Sequence, residues 1–258
     1  MEIVLIGAGN LATNLGKALF QSGHVIKQVY SHTEDSASAL GSKLNSPYTA
    51  DLTQVEKKAD LFIIAVKDSV LPSVASALKE GREQQFFVHT AGSISMDVLP
   101  FERRGVLYPM QTFTKERKVD FSVIPFFIET SGKSDYGILH RLSLTMSDTV
   151  YELNTADRQY LHLAAVFCNN FANHCYNMGA QLLKQHGDIP FAVMMPLIEE
   201  TVAKLYQFTP AEAQTGPAVR WDTNVMDRQM DLLSGQNDMK NIYQMMSQGI
   251  RDYQNKKE

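Results

Sequence analysis

The sequence contains very little cysteine and a single tryptophan. Its two cysteines, Cys168 and Cys175, lie seven residues apart in one strongly helical stretch. Two helical turns separate them by about 10 Å, which is too far for a disulfide bond. We therefore expect two reduced core thiols, as is typical of a cytoplasmic protein.

The chain also lacks an excess of basic residues and any long apolar run. Twenty-four Lys and Arg against 28 Asp and Glu give a formal net charge of −4, which argues against a nucleic-acid partner. No stretch approaches the roughly 20 apolar residues that a membrane span needs. The first strand pattern begins at Glu2, so we expect no signal peptide. A hydrophobic fraction of 44% in 258 residues is that of an ordinary globular protein with a substantial core.

The most informative motif follows this first strand at once. The apolar run Glu2–Ile6 ends in Gly7-Ala8-Gly9-Asn10-Leu11-Ala12, and an amphipathic helix pattern begins there. This is the dinucleotide-binding fingerprint in its GxGxxA form, in the strand–turn–helix setting that gives it meaning. Gly7 would make the tight turn, Gly9 would let the backbone approach a pyrophosphate, and Ala12 would allow close helix–sheet packing. The alternative is a turn of the same shape that binds no phosphate.

Strand and helix patterns alternate over the first 150 residues. Strands are predicted at about 24–31, 47–50, 59–66, 85–89, 106–108 and 124–129, with helices at about 33–44 and 69–79. The run Ala59–Val66 is almost continuously apolar, which is typical of a strand buried on both faces of a parallel sheet. From Thr155 onward we find no strand pattern. We therefore predict an α/β fold: a doubly wound parallel Rossmann sheet over residues 1–153, then an all-helical substrate and dimerisation domain over residues 154–258.

The end of the second strand bears on which nucleotide is bound. NAD-specific sites place an acidic residue there to bind the ribose hydroxyls, whereas this chain has Ser31, His32 and Thr33. These side chains can donate hydrogen bonds to a 2′-phosphate, so we favour NADP over NAD. The alternative is a simple polar turn and helix cap, because the Arg that usually clamps this phosphate is missing.

Loops after later strands should complete the cofactor site. We expect Val66 and Lys67 to lie beside it, with helix capping by Asp68 or Ser69 as the alternative role of that loop. Thr90 and Gly92 follow the strand that should end near the nicotinamide. The loop Tyr108–Phe113 can supply further walls. The sequence predicts no metal site.

The long helix that starts at Thr155 carries an unusual polar stripe. At 100° per residue, one face collects Arg158, His162, Asn169, Asn173 and Tyr176. Because these are not the Glu and Lys of a solvated face, we expect them to line a shielded cleft opposite the nicotinamide. His162 would be the general acid, and Asn169 or Asn170 would polarise the reacting group. The alternative is a structural hydrogen-bond network between helices.

A second polar cluster lies in Thr215–Asp222. Arg220 could bind the anionic end of a substrate through its planar guanidinium. Equally, Arg220 and Asp222 could form a structural pair that caps a helix.

Together these motifs resemble known families. The N-terminal part is similar to the pyrroline-carboxylate reductase and F420-dependent NADP oxidoreductase group, whose fingerprint reads GxGN(M/L)A. The whole chain more closely resembles a family that joins a Rossmann domain to a DUF2520-type helical domain, a 6-phosphogluconate-dehydrogenase-like architecture. The matching pieces are His89–Gly92, Tyr108–Phe113, Arg158, His162, Ala165, Asn170, Phe171, Thr215–Ala218, Arg220 and Asp222.

This resemblance implies an NADP-linked oxidoreductase that dimerises through its helical domain, with no assigned substrate. The family has His-Pro where this chain has Tyr108-Pro109, which weakens an acid–base role at that position. Related hydroxyacid dehydrogenases place Lys and Asn four residues apart on the long helix. The matching slot is Ala165 and Asn169, so the lysine is absent and His162 becomes the acid–base candidate.

The predicted function is therefore hydride transfer between NADP and a small carbonyl, hydroxy acid or imine substrate in an inter-domain cleft. The alternative is a non-catalytic NADP(H)-binding sensor or scaffold. Apolar positions cover most of the long helix outside the stripe, which also favours a homodimer.

Overall fold

The computed structural model describes residues 1–255, and one mostly parallel sheet dominates their N-terminal part. Its strands are β1 (Glu2–Ile6), β2 (Val25–Tyr30), β3 (Tyr48–Thr49), β4 (Leu61–Ile64), β5 (Phe86–His89), β6 (Arg103–Pro109), β7 (Phe126–Thr130) and β8 (Val150–Glu152). The strand order is β3-β2-β1-β4-β5-β6-β7-β8. All neighbouring strands are parallel except β6 and β7, which are antiparallel.

The sheet is covered on both faces, which explains the continuous apolar strands. The helices around it are α1 (Asn10–Gln21), α2 (Glu34–Lys43), α3 (Leu71–Ala77) and α4 (Lys133–Leu144). Alternate residues of β4 point to opposite cores: Leu61 and Ile63 pack with residues of α1, α2 and α4, while Phe62 and Ile64 pack with residues of α3. Two apolar layers are thereby removed from water, which is the main stabilising term for such a fold. The predicted Rossmann architecture is confirmed.

Three features of this sheet are not predicted by the sequence pattern. Helix α4 has a short and weak apolar face, and β8 is a three-residue strand whose Tyr151 is exposed. Strand β7 runs antiparallel to β6. The loop between them therefore starts and finishes at the same end of the sheet, and no crossover connection is needed. These elements extend the sheet beyond β6 and bring Glu129 next to the helix that follows.

Among the described residues after β8 there is no strand, and helices joined by turns and short loops make up this part of the chain. They form α5 (Thr155–Ala165), a π-helical segment (Val166–Phe171), α6 (Ala172–Gln185), α7 (Met195–Lys204), α8 (Pro210–Ala213), α9 (Pro217–Arg220), α10 (Thr223–Leu232) and α11 (Asn237–Asn255). The chain divides into two compact units, Met1–Asn170 and the residues from Phe171 onward. Helix α5 and most of the π-helical segment therefore belong to the same compact unit as the sheet.

Within residues 1–255, none of the helices combines the length and the apolar character that crossing a lipid bilayer demands.

Candidate functional site

The turn after β1 can only be made by glycine at its first position. Gly7 has φ +120°, and a Cβ built there would lie 2.3 Å from the carbonyl oxygen of Ala65. Its N–H donates to the carbonyl of Tyr30 at 2.7 Å, so the turn is held between the ends of β2 and β4. Any side chain here would have to displace backbone, which explains the first glycine of the motif.

The N-terminus of α1 is open and has no competing anion. Gly9 occupies the N-cap position, no side chain caps the helix, and its first turn contains no acidic residue. A Cβ on Gly9 would have no heavy atom within 4 Å. Free N–H groups and the positive end of the helix dipole therefore face empty space, an arrangement suited to a pyrophosphate. Ala12, at 1% exposure, packs into the core as the motif requires.

The predicted nucleotide-selecting residues lie at the end of β2, on the same edge of the sheet. Ser31 is buried, while His32 and Thr33 are exposed. Thr33 occupies the N-cap position of α2 but makes no side-chain capping bond. The first acidic side chains, Glu34 and Asp35, belong to the first turn of α2.

The loops after β4 and β5 are tied together at this edge. Val66 approaches the turn at Gly7, and Lys67 is exposed. Ser93 donates its hydroxyl hydrogen to Asp68 at 2.9 Å, and the N–H of Thr90 donates to the carbonyl of Ile64 at 3.2 Å. Asp68 thus joins two loops and does not cap a helix.

His89, at the end of β5, is fully buried and shapes the loop that follows. The N–H of Ala91 donates to its Nδ1 at 3.2 Å, and its Nε2 lies 3.3 Å from the carbonyl oxygen of Ser95, to which it donates. Burial, assisted by the positive charge of Arg158, lowers the pKa of His89 from 6.5 to about 4. The imidazole is therefore neutral at physiological pH and acts as a structural hydrogen-bonding group. No sequence pattern distinguishes this role from a reactive one.

We expect the stability of the protein to fall as the pH drops from about 6.5 to about 4. The unfolded chain binds a proton at His89 at higher pH than the folded chain, so protonation favours unfolding across this window. The His89 contribution lost by pH 4 is on the order of 3 kcal/mol. Urea unfolding at several pH values should show this slope in the parent chain and a flatter one in His89→Asn.

His24 serves as the comparison for that experiment, because burial also lowers its pKa. His24→Asn should retain most of the slope, since the side chain of His24 is less buried than that of His89, and the positive charge that helps to lower its pKa is the N-terminal ammonium group rather than a buried guanidinium. An equal slope in the parent and His89→Asn would contradict the assignment.

Arg158 lies in the protein interior, with 0% exposure, and does not line the cleft that the stripe predicts. Its Nη2 donates to the carbonyl of Ile94 at 2.8 Å, to Glu129 at 3.1 Å and to Thr155 at 3.2 Å. Helix α5 is thereby anchored to β7 and to the loop after β5. The Nε and Nη1 groups of Arg158 are buried without a partner among the described residues. Burial lowers the pKa of this guanidinium, an effect opposed by Glu129.

His162 lies one turn after Arg158 and meets Tyr108 from the end of β6. The Tyr108 hydroxyl is 3.1 Å from His162 Nδ1, and the two rings meet edge to face. Burial raises the pKa of Tyr108. Gly92 packs closely against His162 and Tyr108, because a Cβ at Gly92 would lie only 2.5 Å from His162 Nδ1. The expected cofactor residue Gly92 is therefore also the wall behind the candidate general acid.

A cavity of about 520 Å³ connects this pair with the N-terminus of α1. Asn10 and Leu11 contribute one wall, the β6 end and following loop a second, and α5 with the π-helical segment a third. His162, Asn169 and Asn170 all line it, so the structure brings these three predicted residues together. No Asp, Glu, Lys or Arg is among the lining residues.

The π-helical segment changes which residues share a face. A π-helix advances by fewer degrees per residue than the 100° assumed for the stripe, so the helix face shifts between Ala165 and Ala172. Asn169 and Asn170 reach the cavity, whereas Asn173 is exposed on α6 and is not among its lining residues. Cys168 is exposed and lines the cavity, so the expectation of a core thiol is wrong for this residue. π-Helical segments are frequent at functional sites.

Arg220 belongs to the second compact unit, where it is exposed at the end of α9. Asp222 accepts a hydrogen bond from the N–H of Val225 and caps α10. Among residues 1–255 the ion pairs do not include one between Arg220 and Asp222. Asp222 therefore caps a helix, as the structural alternative predicts, but it does so without an ion pair to Arg220.

Comparison with known proteins places this chain in a family. A Rossmann-like domain model matches residues 1–111, and the domain of unknown function DUF2520 matches residues 124–250. A comparison with curated proteins yields no match. The crystal structure of a "putative NADP oxidoreductase" from Bacteroides fragilis is 48% identical, with a TM-score of 0.93, and covers 97% of this chain and 98% of that one.

Two more distant structures share the fold. An imine reductase from Myxococcus stipitatus in complex with NADP⁺ has a TM-score of 0.70 at 16% identity, covering 98% of this chain and 93% of that one. A pyrroline-5-carboxylate reductase from Coxiella burnetii has a TM-score of 0.59 at 15% identity, covering 98% and 97%.

This chain resembles the Bacteroides protein over its full length. The likeness confirms the predicted class, an oxidoreductase with a Rossmann fold. The predicted resemblance is confirmed as well: this chain belongs to the family of oxidoreductases that join a Rossmann-like domain to a DUF2520 domain.

Proposed function

We propose that this protein transfers hydride between NADP(H) and a small carbonyl, hydroxy acid or imine compound. The observation that carries the proposal is the single cavity shared by the open N-terminus of α1 and the side chains of His162, Asn169 and Asn170. The helix N-terminus that would bind the phosphates and the histidine that would donate the proton thus line the same cavity. This is the arrangement that hydride transfer from a dinucleotide requires.

The residues that would hold the dinucleotide follow the edge of the sheet. Gly7, Gly9, Asn10, Leu11 and Ala12 would receive the pyrophosphate, because the turn is tight and the first helical N–H groups are free. The other predicted contacts are Ser31, His32, Thr33, Val66, Lys67, Thr90 and Gly92. When bound, a nicotinamide cofactor supplies the hydride, and the protein supplies orientation and the proton.

His162 would hold that proton at Nε2, since its Nδ1 is engaged by Tyr108. The amide groups of Asn169 and Asn170 would orient a carbonyl or imine group, and the apolar walls around Leu11 and Phe113 would limit water. The names of the Myxococcus and Coxiella proteins concern C=N reduction, so imines belong in the substrate panel.

The proposal is tested by isothermal titration with NADPH and NADH, followed by NADPH oxidation against keto acids, aldehydes and cyclic imines. We expect tighter binding of NADPH, because Ser31, His32 and Thr33 offer hydrogen-bond donors and no carboxylate that repels a 2′-phosphate. Equal affinities, or tighter NADH, would contradict the NADP assignment. Binding of NADPH without turnover of any panel member would favour the sensor alternative.

We further propose a homodimer formed by the helical part of the chain. Among the described residues after Phe171, only Ala218, Met226, Leu233 and Ser247 are buried. Large apolar side chains are exposed on its helices, including Leu197 at 64%, Tyr206 at 89% and Met245 at 76%. Apolar exposure on this scale marks an association surface. Light scattering at micromolar concentration should give twice the chain mass of 28.9 kDa, and a monomer would contradict the proposal.

A further inference from the structure

We propose that Tyr108 is a positioning residue whose hydroxyl hydrogen fixes His162 as the tautomer that carries its proton on Nε2, toward the cavity. The inference rests on the proposed function for its catalytic meaning, but the tautomer itself is a property of the protein alone. The juxtaposition of Tyr108, His162 and Gly92 carries it.

The first step concerns the direction of the hydrogen bond between the two side chains. The Tyr108 hydroxyl lies 3.1 Å from His162 Nδ1, and this is the only hydrogen bond that it makes within residues 1–255. Tyr108 as a whole residue is 8% exposed, so its side chain is largely shielded from water. Burial raises the pKa of Tyr108, an effect that outweighs the opposing positive charge of Arg158. The phenol therefore keeps its hydrogen, and a buried O–H needs an acceptor, which is His162 Nδ1.

The second step concerns the ring nitrogen that remains. An imidazole that accepts at Nδ1 in its neutral form must carry its hydrogen on Nε2. The Nδ1 side is filled by Tyr108 and Gly92, because a Cβ on Gly92 would lie 2.5 Å from His162 Nδ1 and 2.9 Å from Tyr108 Cζ. His162 is partly exposed and lines the cavity, so Nε2 is the nitrogen left to meet a ligand.

The third step concerns how firmly this geometry is held. Arg158 precedes His162 by one helical turn and anchors α5 to Ile94 and Glu129. Ile94 belongs to the same loop as Gly92, so the helix and the wall behind the ring are fixed to one another. Tyr108 is buried at the end of a sheet strand and packs against Phe127. The position of His162 is therefore fixed by its own helix, by the loop that contains Gly92 and by the strand that carries Tyr108. Such a fixed position is what a preorganised proton donor requires.

Nitrogen-15 NMR of the protein without ligand tests the tautomer directly. At mildly alkaline pH, long-range ¹H–¹⁵N spectra should show His162 as one species, with hydrogen on Nε2 and Nδ1 acting as an acceptor. Tyr108→Phe removes the donor and should give a mixture of both tautomers. Tyr151→Phe is the matched control, because Tyr151 lies on strand β8 of the same sheet with its ring exposed, and it should keep the parental spectrum.

Gly92→Ala provides a second variant should Tyr108→Phe fold poorly. The added Cβ must push the His162 ring away from Tyr108, so it should also produce a mixture. A proton on Nδ1 in the parent protein would overturn the inference. A single Nε2–H tautomer that persists in both variants would do the same.

Kinetics separate this inference from the proposed function. With an active substrate, Tyr108→Phe should lower kcat by about a hundredfold, the scale expected when a catalytic group loses its alignment, and should leave the Kd of NADPH unchanged. An unchanged kcat would overturn the positioning role. If no substrate is ever reduced while the NMR result is as expected, the fixed tautomer stands and the proposed function fails.

Discussion

His162→Ala is expected to lower kcat by about a hundred- to ten-thousandfold, the usual loss for a general acid. The imidazole lines the cavity and holds its Nε2 toward it, whereas the alanine side chain can neither donate a proton nor meet Tyr108. The Kd of NADPH should change little, because the phosphate-binding turn at Gly7 and Gly9 lies on other elements. Steady-state kinetics and titration calorimetry measure the two quantities separately.

The matched control for this variant is His140→Ala. His140 is a partly exposed histidine on α4 that stacks on Tyr136 and is not among the residues that line the cavity. Its replacement should leave both kcat and Kd at the parental values. If His162→Ala retained the parental kcat, the acid–base role would pass to another group, with the Tyr108 hydroxyl the first to be tested.

Gly9→Val is expected to weaken NADPH binding by at least about a hundredfold. The substitution places a branched side chain where the pyrophosphate would meet the first N–H groups of α1. Losing two charge-assisted hydrogen bonds of about 1.5–3 kcal/mol each gives that loss. The fold should survive, since Gly9 has φ −75° and a Cβ there has no heavy atom within 4 Å. Titration calorimetry and thermal unfolding measure the two outcomes.

Gly132→Val is the corresponding control. Gly132 is also an N-cap glycine in extended conformation, at the start of α4, and the closest atom to a Cβ there is 4.0 Å away. It lies outside the proposed dinucleotide site, so this variant should bind NADPH as the parent does. Parental affinity in Gly9→Val would show that the dinucleotide lies elsewhere. Gly7 is unsuitable for such a test, because any side chain there collides with the Ala65 carbonyl.

The sequence predicts the sheet well wherever local signals and tertiary demands agree. The strand ending at Gly7 and the buried run within Ala59–Val66 are examples, because a parallel strand covered on both faces must be apolar throughout. Strand β8 is missed because three residues at a sheet edge carry too short a pattern to detect. Helix α4 is missed because its apolar face is narrow and its charged residues are spread along it.

The sequence predicts which residues belong to the site better than it predicts how they are arranged. His162, Asn169 and Asn170 stand out as polar residues on an otherwise apolar helix, and all three line one cavity. The π-helical segment cannot be seen from a 100° periodicity, so Asn173 is misplaced. The pairing of Tyr108 with His162 joins residues 54 positions apart, and no local pattern encodes such a contact. The buried Arg158 is paired with Glu129 of β7. The sequence pattern does not show that β7 runs antiparallel to β6, so this ion pair could not be predicted.

The absence of charged side chains from the cavity lining has a consequence for the ionisation state of whatever enters it. An ionic group that moves from water against the apolar walls of this space gives up part of its hydration and gains no counter-ion from the lining residues of the first compact unit. A neutral amine, imine or carbonyl group loses far less. The solution pH would then set the rate by fixing what share of a basic substrate is uncharged, even where no group of the protein titrates.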